Sequence, residues 1–275
     1  MATQTWKQIQ PSSFSRIARK LAKTAEWEHT SLTEHLLAAE KKTKLLYSGR
    51  KENLIMAQSN GFIFPRFHTD ANEDLPAISP NIQPVHTIMG LSKNVDCFCS
   101  LNSNKKKDSV DYFLMHRSIK SNSKNPLPSI APPTGFSIRV LSVNDAKKIM
   151  PLELAYQQEE VILPGQSLPE QAIRLRLSQI LKSQVAIAIL ENGKPVAKAN
   201  TNARGIHCCQ IGGVYTLPEY RKMGLAACAV SNLMHFCASL YRFSSLFVKR
   251  TNTAGIKLYR KLDFTISGDY TIAYA

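Results

Sequence analysis

The sequence predicts a mixed α/β chain (α+β in its ordering, with a mixed sheet) made of a smaller α/β domain at 1–120, a connector at 121–135 and a larger domain at 136–275. Three observations carry this. The chain has 275 residues, 44% hydrophobic and 20% charged, which is room for more than one buried core. The stretch "SNSKNPLPSIAPPTG" at 121–135 sets prolines among Ser and Asn with no apolar periodicity, as a connector does. On either side of it, short apolar runs of strand and helix spacing alternate.

Ahead of the connector the spacing predicts helices at roughly 13–27 and 31–47, then a strand pair, "NLIMAQ" and "FIFPRF", joined by the turn "SNG". A strand "VHTIMG", a short helix near 93–101 and a strand "VDYFLMH" follow. Behind the connector, "GFSIRVL" reads as a strand and Asp145–Gln158 as a helix. "SLPEQAIRLRLSQIL" reads as a helix with Ser167 as N-cap and Glu170 three residues on, a capping-box arrangement. "QVAIAILENGKPVAKANTNA" is a hairpin turning at Asn192-Gly193. "IHCCQIGGVYT" is a strand leading into a long apolar helix, "SLFVK" a strand, "NTAGIKLYRKL" a helix, and "FTISGDYTIAYA" a closing hairpin on Gly268-Asp269.

Composition excludes several classes of function. The net charge of +15 is spread evenly, with 18 basic and 11 acidic residues up to position 133 and 17 and 9 beyond it. It forms no tail, and the run Lys105-Lys106-Lys107 reads as a solvated loop, so nucleic acid is not the expected partner. The apolar stretch 224–240 is interrupted by Ser231, Asn232 and His235, which argues against a membrane span. "MATQTWKQIQ" has no apolar signal core, so a cytoplasmic protein with six reduced cysteines is expected. Cys97-Phe98-Cys99 and Cys208-Cys209 lack the CxxC spacing of metal or redox sites and read as buried thiols. No metal is expected, and HExxH, GxSxG and GxxxxGK[ST] are all absent from the sequence.

The informative stretch is "YRKMGLAACAVSNL" at 220–233, which sets Arg221, Lys222 and Gly224 at the mouth of a helix. Helix N-termini carry unpaired N–H groups and partial positive charge, so cations there call for an anion. With the residues before it, "VYTLPEYRKMGLA" resembles the acyl-CoA-binding signature of the GNAT superfamily of N-acyltransferases, through Arg221, Gly224 and Ala226. "NTAGIKLYRKLDF" is similar to the family's second motif, with Asn252, Ala254, Tyr259 and Phe264 in place. The resemblance covers 136–275.

It implies a GNAT-type domain using acetyl-CoA, or another acyl-CoA, as co-substrate. The anion would be the coenzyme A pyrophosphate, cradled by a backbone nest. Cofactor-binding residues would be Val214, Tyr215, Thr216, Arg221, Lys222, Met223, Gly224, Leu225, Ala226 and Asn252. Lys222 stands where the family most often has glycine. The family's fourth strand carries a bulge beside the pantetheine arm, which would explain Gly212-Gly213 inside a strand; a tight packing site is the other reading.

Tyr259 holds the place of the family's acid tyrosine and would protonate the leaving thiolate. The fourth strand offers no carboxylate, so Glu160, in "YQQEEVILPG", is the expected base or amine-binding residue. Glu159, Asn200, Asn202 and Gln210 are the expected acceptor-binding residues. The segments "EEVILPG", "KANTNARG" and "QIGGVYT" together resemble a two-part bacterial GNAT subfamily whose first half is a degenerate GNAT-like fold shaping the acceptor cleft or homodimer contacts. The implied function is acetyl-CoA-dependent N-acetyl transfer to a primary amine of a small molecule or protein. A non-catalytic acyl-CoA sensor and a polyanion binder are the competing readings.

Overall fold

The computed structural model describes residues 5–38, 43–48, 53–58, 61–67, 82, 85–101, 108–120, 126–162 and 165–275. These divide into two units. One comprises Met1–Met115, Phe247–Asn252 and Ile266–Ala275, the other His116–Leu246 and Thr253–Thr265. Neither is continuous in sequence, so no single connector separates them. The Lys105–Lys107 run, the Ser59-Asn60 part of the expected turn, residues 121–125 and Leu163-Pro164 lie outside the described residues.

In the first unit, β1 (Lys7–Ile9), α1 (Phe14–Leu21), α2 (Thr30–Ala38), β2 (Thr43–Ser48), β3 (Asn53–Gln58), β4 (Phe62–Arg66), β5 (Thr87–Leu91), α3 (Ser92–Leu101) and β6 (Asp108–Ser118) are joined by the last strand, Thr265–Tyr274. The strand order is β1-β2-β3-β4-β5, then the last strand, then β6. Strand alternation decides which residues meet which helices. Leu54 and Met56 of β3 join Phe14, Ala18, Leu32 and Leu36 of α1 and α2. Ile55 and Ala57, on the opposite face, join Val95 and Phe98 of α3.

The expected helix at 31–47 ends at Ala38 within the described residues, and 43–48 is a strand. "TKLLYS" fits either period, and backbone pairing to β1 on one side and β3 on the other decides for the strand. The helix expected at 13–27 likewise stops at Leu21, and a tight turn at Glu26–Glu28 follows Ala25, whose φ is +40°. The expected hairpin on Gly268-Asp269 does not form. Thr265–Tyr274 runs as one strand, β12 in chain order, pairing antiparallel to β5 from Tyr270 to Tyr274.

In the second unit, β7 (Phe136–Val140), α4 (Ala146–Tyr156), α5 (Glu170–Ser183), β8 (Ala186–Glu191), β9 (Lys194–Arg204), β10 (Cys208–Thr216), α6 (Leu225–Cys237), β11 (Phe243–Lys249, of which Phe243–Leu246 belong to this unit) and α7 (Thr253–Lys261) follow the expected order. The sheet runs β11-β10-β9-β8-β7, with β10 and β11 parallel and the other neighbours antiparallel. The β8–β9 hairpin turns at Asn192 (φ +46°) and Gly193 (φ +77°), the left-handed pair such a turn needs. Helices α4 and α5 pack Ile149, Leu152, Ile173 and Leu177 against Ala186, Ala188 and Leu190. The α5 capping box does not form: the helix starts at Glu170, Pro169 is extended, and no side chain caps it. A Ser142–Asp145 capping box precedes α4 instead.

Helix α6 is the most apolar, and the polar residues that interrupt it have partners. Ser231 Oγ donates to the Pro128 carbonyl, and Asn232 Nδ2 donates to that of Ile130 at 3.0 Å. The proline-rich segment is thereby strapped along α6, which is why buried Ser231 is tolerated there. Among the described residues no helix is long and apolar enough to cross a membrane. None of the six cysteines forms a disulfide among the described residues; Cys208 and Cys209 are buried as expected, whereas Cys97 and Cys99, on α3, are only half-buried.

Candidate active site

Four local devices of the second unit converge around β10. The first is a bulge. β10 pairs with β9 through two register shifts, at Gln210/Ile211 and Gly212/Tyr215, and Gly213 has φ +56°. A Cβ on Gly213 would lie 1.9 Å from Asn200 Oδ1, and one on Gly212 would lie 1.9 Å from Asn202 Nδ2. Only glycines admit these two amides, so Asn200 and Asn202 are packed onto the bulge. Parallel pairing with β11 runs from Cys208 to Ile211, while β10 continues to Thr216. Gln210 is buried within the paired stretch, between Ala203 and Ser245. Thr216 Oγ1 is buried with no hydrogen-bond partner.

The second is the mouth of α6. After the turn Pro218–Tyr220, Lys222 (φ +66°) and Gly224 (φ +80°) are both left-handed, and α6 starts at Leu225. The left-handed geometry at 222 is the reason glycine suits that position; lysine accepts it with strain. No side chain caps the helix, and a Cβ on Gly224 would meet nothing within 4 Å. Arg221, Lys222, Met223 and Gly224 are exposed, Leu225 is buried and Ala226 half-buried.

The third is an ion pair crossing from α4 to this loop. Beyond Tyr156, α4 continues as a π-helical turn, Gln157–Val161, the kind of widened turn that re-aims side chains. Glu159 on this turn accepts from Arg221 Nη2 at both carboxylate oxygens, 2.7 Å each, and from the Tyr215 hydroxyl at 2.8 Å. Arg221 Nε also donates to the Thr216 carbonyl at 3.1 Å. The hydrogen bond to Glu159 is the main cause that raises the guanidinium pKa. Glu159, expected at the acceptor, is therefore bonded to the predicted cofactor loop.

The fourth is a cluster of phenols and charges. Tyr259 of α7 is 8% exposed, with Phe264 edge-on at 6.0 Å. Burial lifts its pKa well above the ordinary phenol value, and the neighbouring Tyr156 and Glu160 push it further in the same direction. The expected acid and the expected base are thus electrostatic neighbours. Tyr156 is pushed up to about 12 by burial and then by Glu153, while a backbone hydrogen bond from Gly213 opposes the shift.

Beneath the bulge lies a buried pair that no spacing rule reveals. Lys198 Nζ of β9 sits 2.9 Å from Glu153 Oε2, with the two side chains 5% and 2% exposed. It also donates to the Gly213 carbonyl at 2.9 Å and lies 4.1 Å from the Tyr156 ring centroid. Gln157 Nε2 donates to the other oxygen of Glu153 at 2.6 Å. Removing one partner of such a pair typically costs about 3–5 kcal/mol, because the other charge is left buried. A lysine amid the small residues of "VAKAN" was the only sequence signal. Asn252, the remaining expected residue, belongs to the first unit, in the turn before α7.

A bulged strand thus runs on into a left-handed, uncapped helix mouth within a mixed sheet of this order. Residues 153–264 match the sequence model of the Acetyltransferase (GNAT) family. The whole chain is similar in fold to a Drosophila protein (11% identity, 98% of each chain covered, TM-score 0.69). It is also similar to a tandem GNAT protein from the clavulanic acid biosynthesis pathway, solved without AcCoA (9% identity, 99% and 98% covered, TM-score 0.60). A GCN5-related N-acetyltransferase from Sphaerobacter thermophilus gives 13% identity, 100% and 96% coverage and a TM-score of 0.60. Among curated proteins none matches the sequence. Residues 153–264 thus match the GNAT family model, and the whole chain shares the two-part fold of a tandem GNAT protein. The family relation supports acyl-CoA-dependent acyl transfer in general.

Proposed function

We propose that the protein is an acetyl-CoA-dependent N-acetyltransferase acting on a primary amine of a small molecule or protein. The observation that carries this is the left-handed Lys222–Gly224 cradle opening α6, directly after a bulged β10 whose parallel pairing stops at Ile211. These residues fit an acyl-CoA. The α6 N–H groups lack a side-chain cap, the space at Gly224 is open, and Thr216 Oγ1 is a buried hydroxyl awaiting a partner. In this reading the backbone at 222–226 holds the pyrophosphate, and Val214 to Thr216 hold the pantetheine arm.

When bound, the thioester supplies the electrophilic carbonyl. The chain's residues supply the rest. Tyr259 keeps its proton through the working pH range and gives it to the departing sulfur. Glu160 takes a proton from the amine, directly or through a water. Asn200 and Asn202, packed against the glycines of the bulge, would line the acceptor side of the site.

Thiol release from acetyl-CoA across a panel of amines tests the reading. Release with at least one amine is expected; binding of acetyl-CoA with no release from any amine would favour the sensor reading. Glu160→Gln is expected to lower turnover and leave acetyl-CoA affinity intact. The deficit should be largest near neutral pH, where most of an amine with a pKa of about 10 is protonated, and shrink as pH rises. A deficit of the same size at every pH would assign Glu160 to amine binding alone.

Glu159 gives a separate expectation. Its pair with Arg221 is 41% and 43% exposed, so solvent screens it and its loss should change stability by less than about 1 kcal/mol. Glu159→Gln leaves Arg221 un-neutralised beside the cradle, so acetyl-CoA affinity measured by calorimetry should rise. A fall would mean that the pair pre-orients the loop.

A further inference from the structure

We infer that Lys198 is a positioning residue: held by Glu153, its ammonium fixes the Gly213 carbonyl and so aims the Val214 N–H as the donor to the thioester oxygen. The inference rests on the acyl-CoA reading above. Gly213 C=O and Val214 N–H belong to one planar peptide unit, and in a trans peptide the two point in opposite directions. The Lys198 ammonium holds the oxygen end at 2.9 Å, which directs the N–H end away from Lys198. A glycine at φ +56° inside a bulge has no ladder of regular pairing to hold that plane, so a side chain does it.

The hold is rigid because every contact of the ammonium is itself held. Glu153 is fixed by Gln157 at 2.6 Å and by Lys198 at 2.9 Å, and the Tyr156 ring covers the ammonium at 4.1 Å. Tyr156 also meets Gly213 through a backbone hydrogen bond, so residues from α4 and β9 grip the same glycine. Burial pulls the Lys198 pKa down, and Glu153 opposes this by favouring the charged form. A cation on a peptide oxygen polarises the unit and strengthens its N–H as a donor. Donors of this kind act on the charge that develops on the oxygen during attack, so the effect belongs to turnover and not to acyl-CoA binding. An ordinary core pair would give no such split.

The test uses the full chain, acetyl-CoA and the best amine of the panel. Lys198→Met should leave the acetyl-CoA dissociation constant unchanged and lower kcat by roughly 10²-fold, the low end of the loss when an oxyanion donor is removed. The thioester carbonyl stretch of carbonyl-labelled acetyl-CoA, read by infrared difference spectroscopy without amine, should move to higher wavenumber because its hydrogen bond weakens. Should Lys198→Met fail to fold around an unpaired Glu153, the double variant Glu153→Met/Lys198→Met removes both charges and restores packing. It should fold, bind acetyl-CoA and keep the same kcat deficit and spectral shift. Full turnover in the folded double variant, or an unmoved carbonyl band, would show the pair to be structural and overturn the inference. Wild-type protein that fails to bind acetyl-CoA would overturn the acyl-CoA reading itself, a result distinct from either.

Discussion

Replacing Gly224 by glutamate is expected to abolish acetyl-CoA binding as followed by calorimetry. Gly224 has φ +80°, so any other residue bears left-handed strain of about 1–2 kcal/mol, within the 5–15 kcal/mol stability of an ordinary domain. A Cβ there meets no protein atom within 4 Å, so the variant should fold, and its side chain would enter the space proposed for the pyrophosphate. A carboxylate about 4 Å from one phosphate charge costs about 4 kcal/mol at an effective dielectric of 20, on the order of 10³-fold in affinity. Gly224→Ala carries the same backbone strain without the charge, and should weaken binding far less. Equal affinities for wild type and Gly224→Glu would remove the cradle from the cofactor site.

Tyr259→Phe is the second large effect, with a fall in kcat on the order of 10²-fold, a typical share for general acid catalysis. The residue is 8% exposed and its ring keeps the edge contact with Phe264, so phenylalanine fills the same volume and stability should hold. Acetyl-CoA affinity should persist. The pH dependence follows from the sign of the shift. Burial, Tyr156 and Glu160 all raise the phenol's pKa, so the proton-donating form prevails below that raised value. The wild-type kcat should therefore show no alkaline decline from this group up to pH about 10, the ordinary phenol value. Linkage has the same sign: the buried neutral phenol is stable below about pH 10, and its contribution is lost only as pH rises beyond that. A variant with full turnover would assign protonation of the sulfur to another donor, with Tyr156 the first to test.

Much of the second unit was legible because its signals are local. The Asn192-Gly193 hairpin, the apolar run of α6 and the order of strands and helices follow from turn chemistry and periodicity within a few residues. Arg221, Gly224 and Ala226 stand close together in sequence because a helix mouth is one short piece of backbone. Glu160 and Tyr259, about a hundred positions apart, were paired only through the family resemblance, and folding makes them neighbours. The elements misread were those where local preference is balanced. "TKLLYS" is a strand because β1 and β3 flank it, and "FTISGDYTIAY" runs straight past Gly268 because the strand lies between β5 and β6 in the sheet. Ser167 was a sound cap by composition, yet the chain at Pro169 stays extended and α5 starts after it.

By itself the sequence set the expectation of the site: a proposed anion cradle at Arg221–Gly224, a strand interrupted by Gly212-Gly213, and a tyrosine on the helix after β11. Each depends on what a residue type can do to its own backbone or solvent, and that is written locally. Only the tertiary structure decided what the charges do. Glu159 is bound to Arg221, and Lys198 to Glu153 and the Gly213 carbonyl, across 62, 45 and 15 positions of chain. A charge leaves no periodic trace in sequence, and whether it meets solvent, a ligand or a buried partner is set by which segments fold against it.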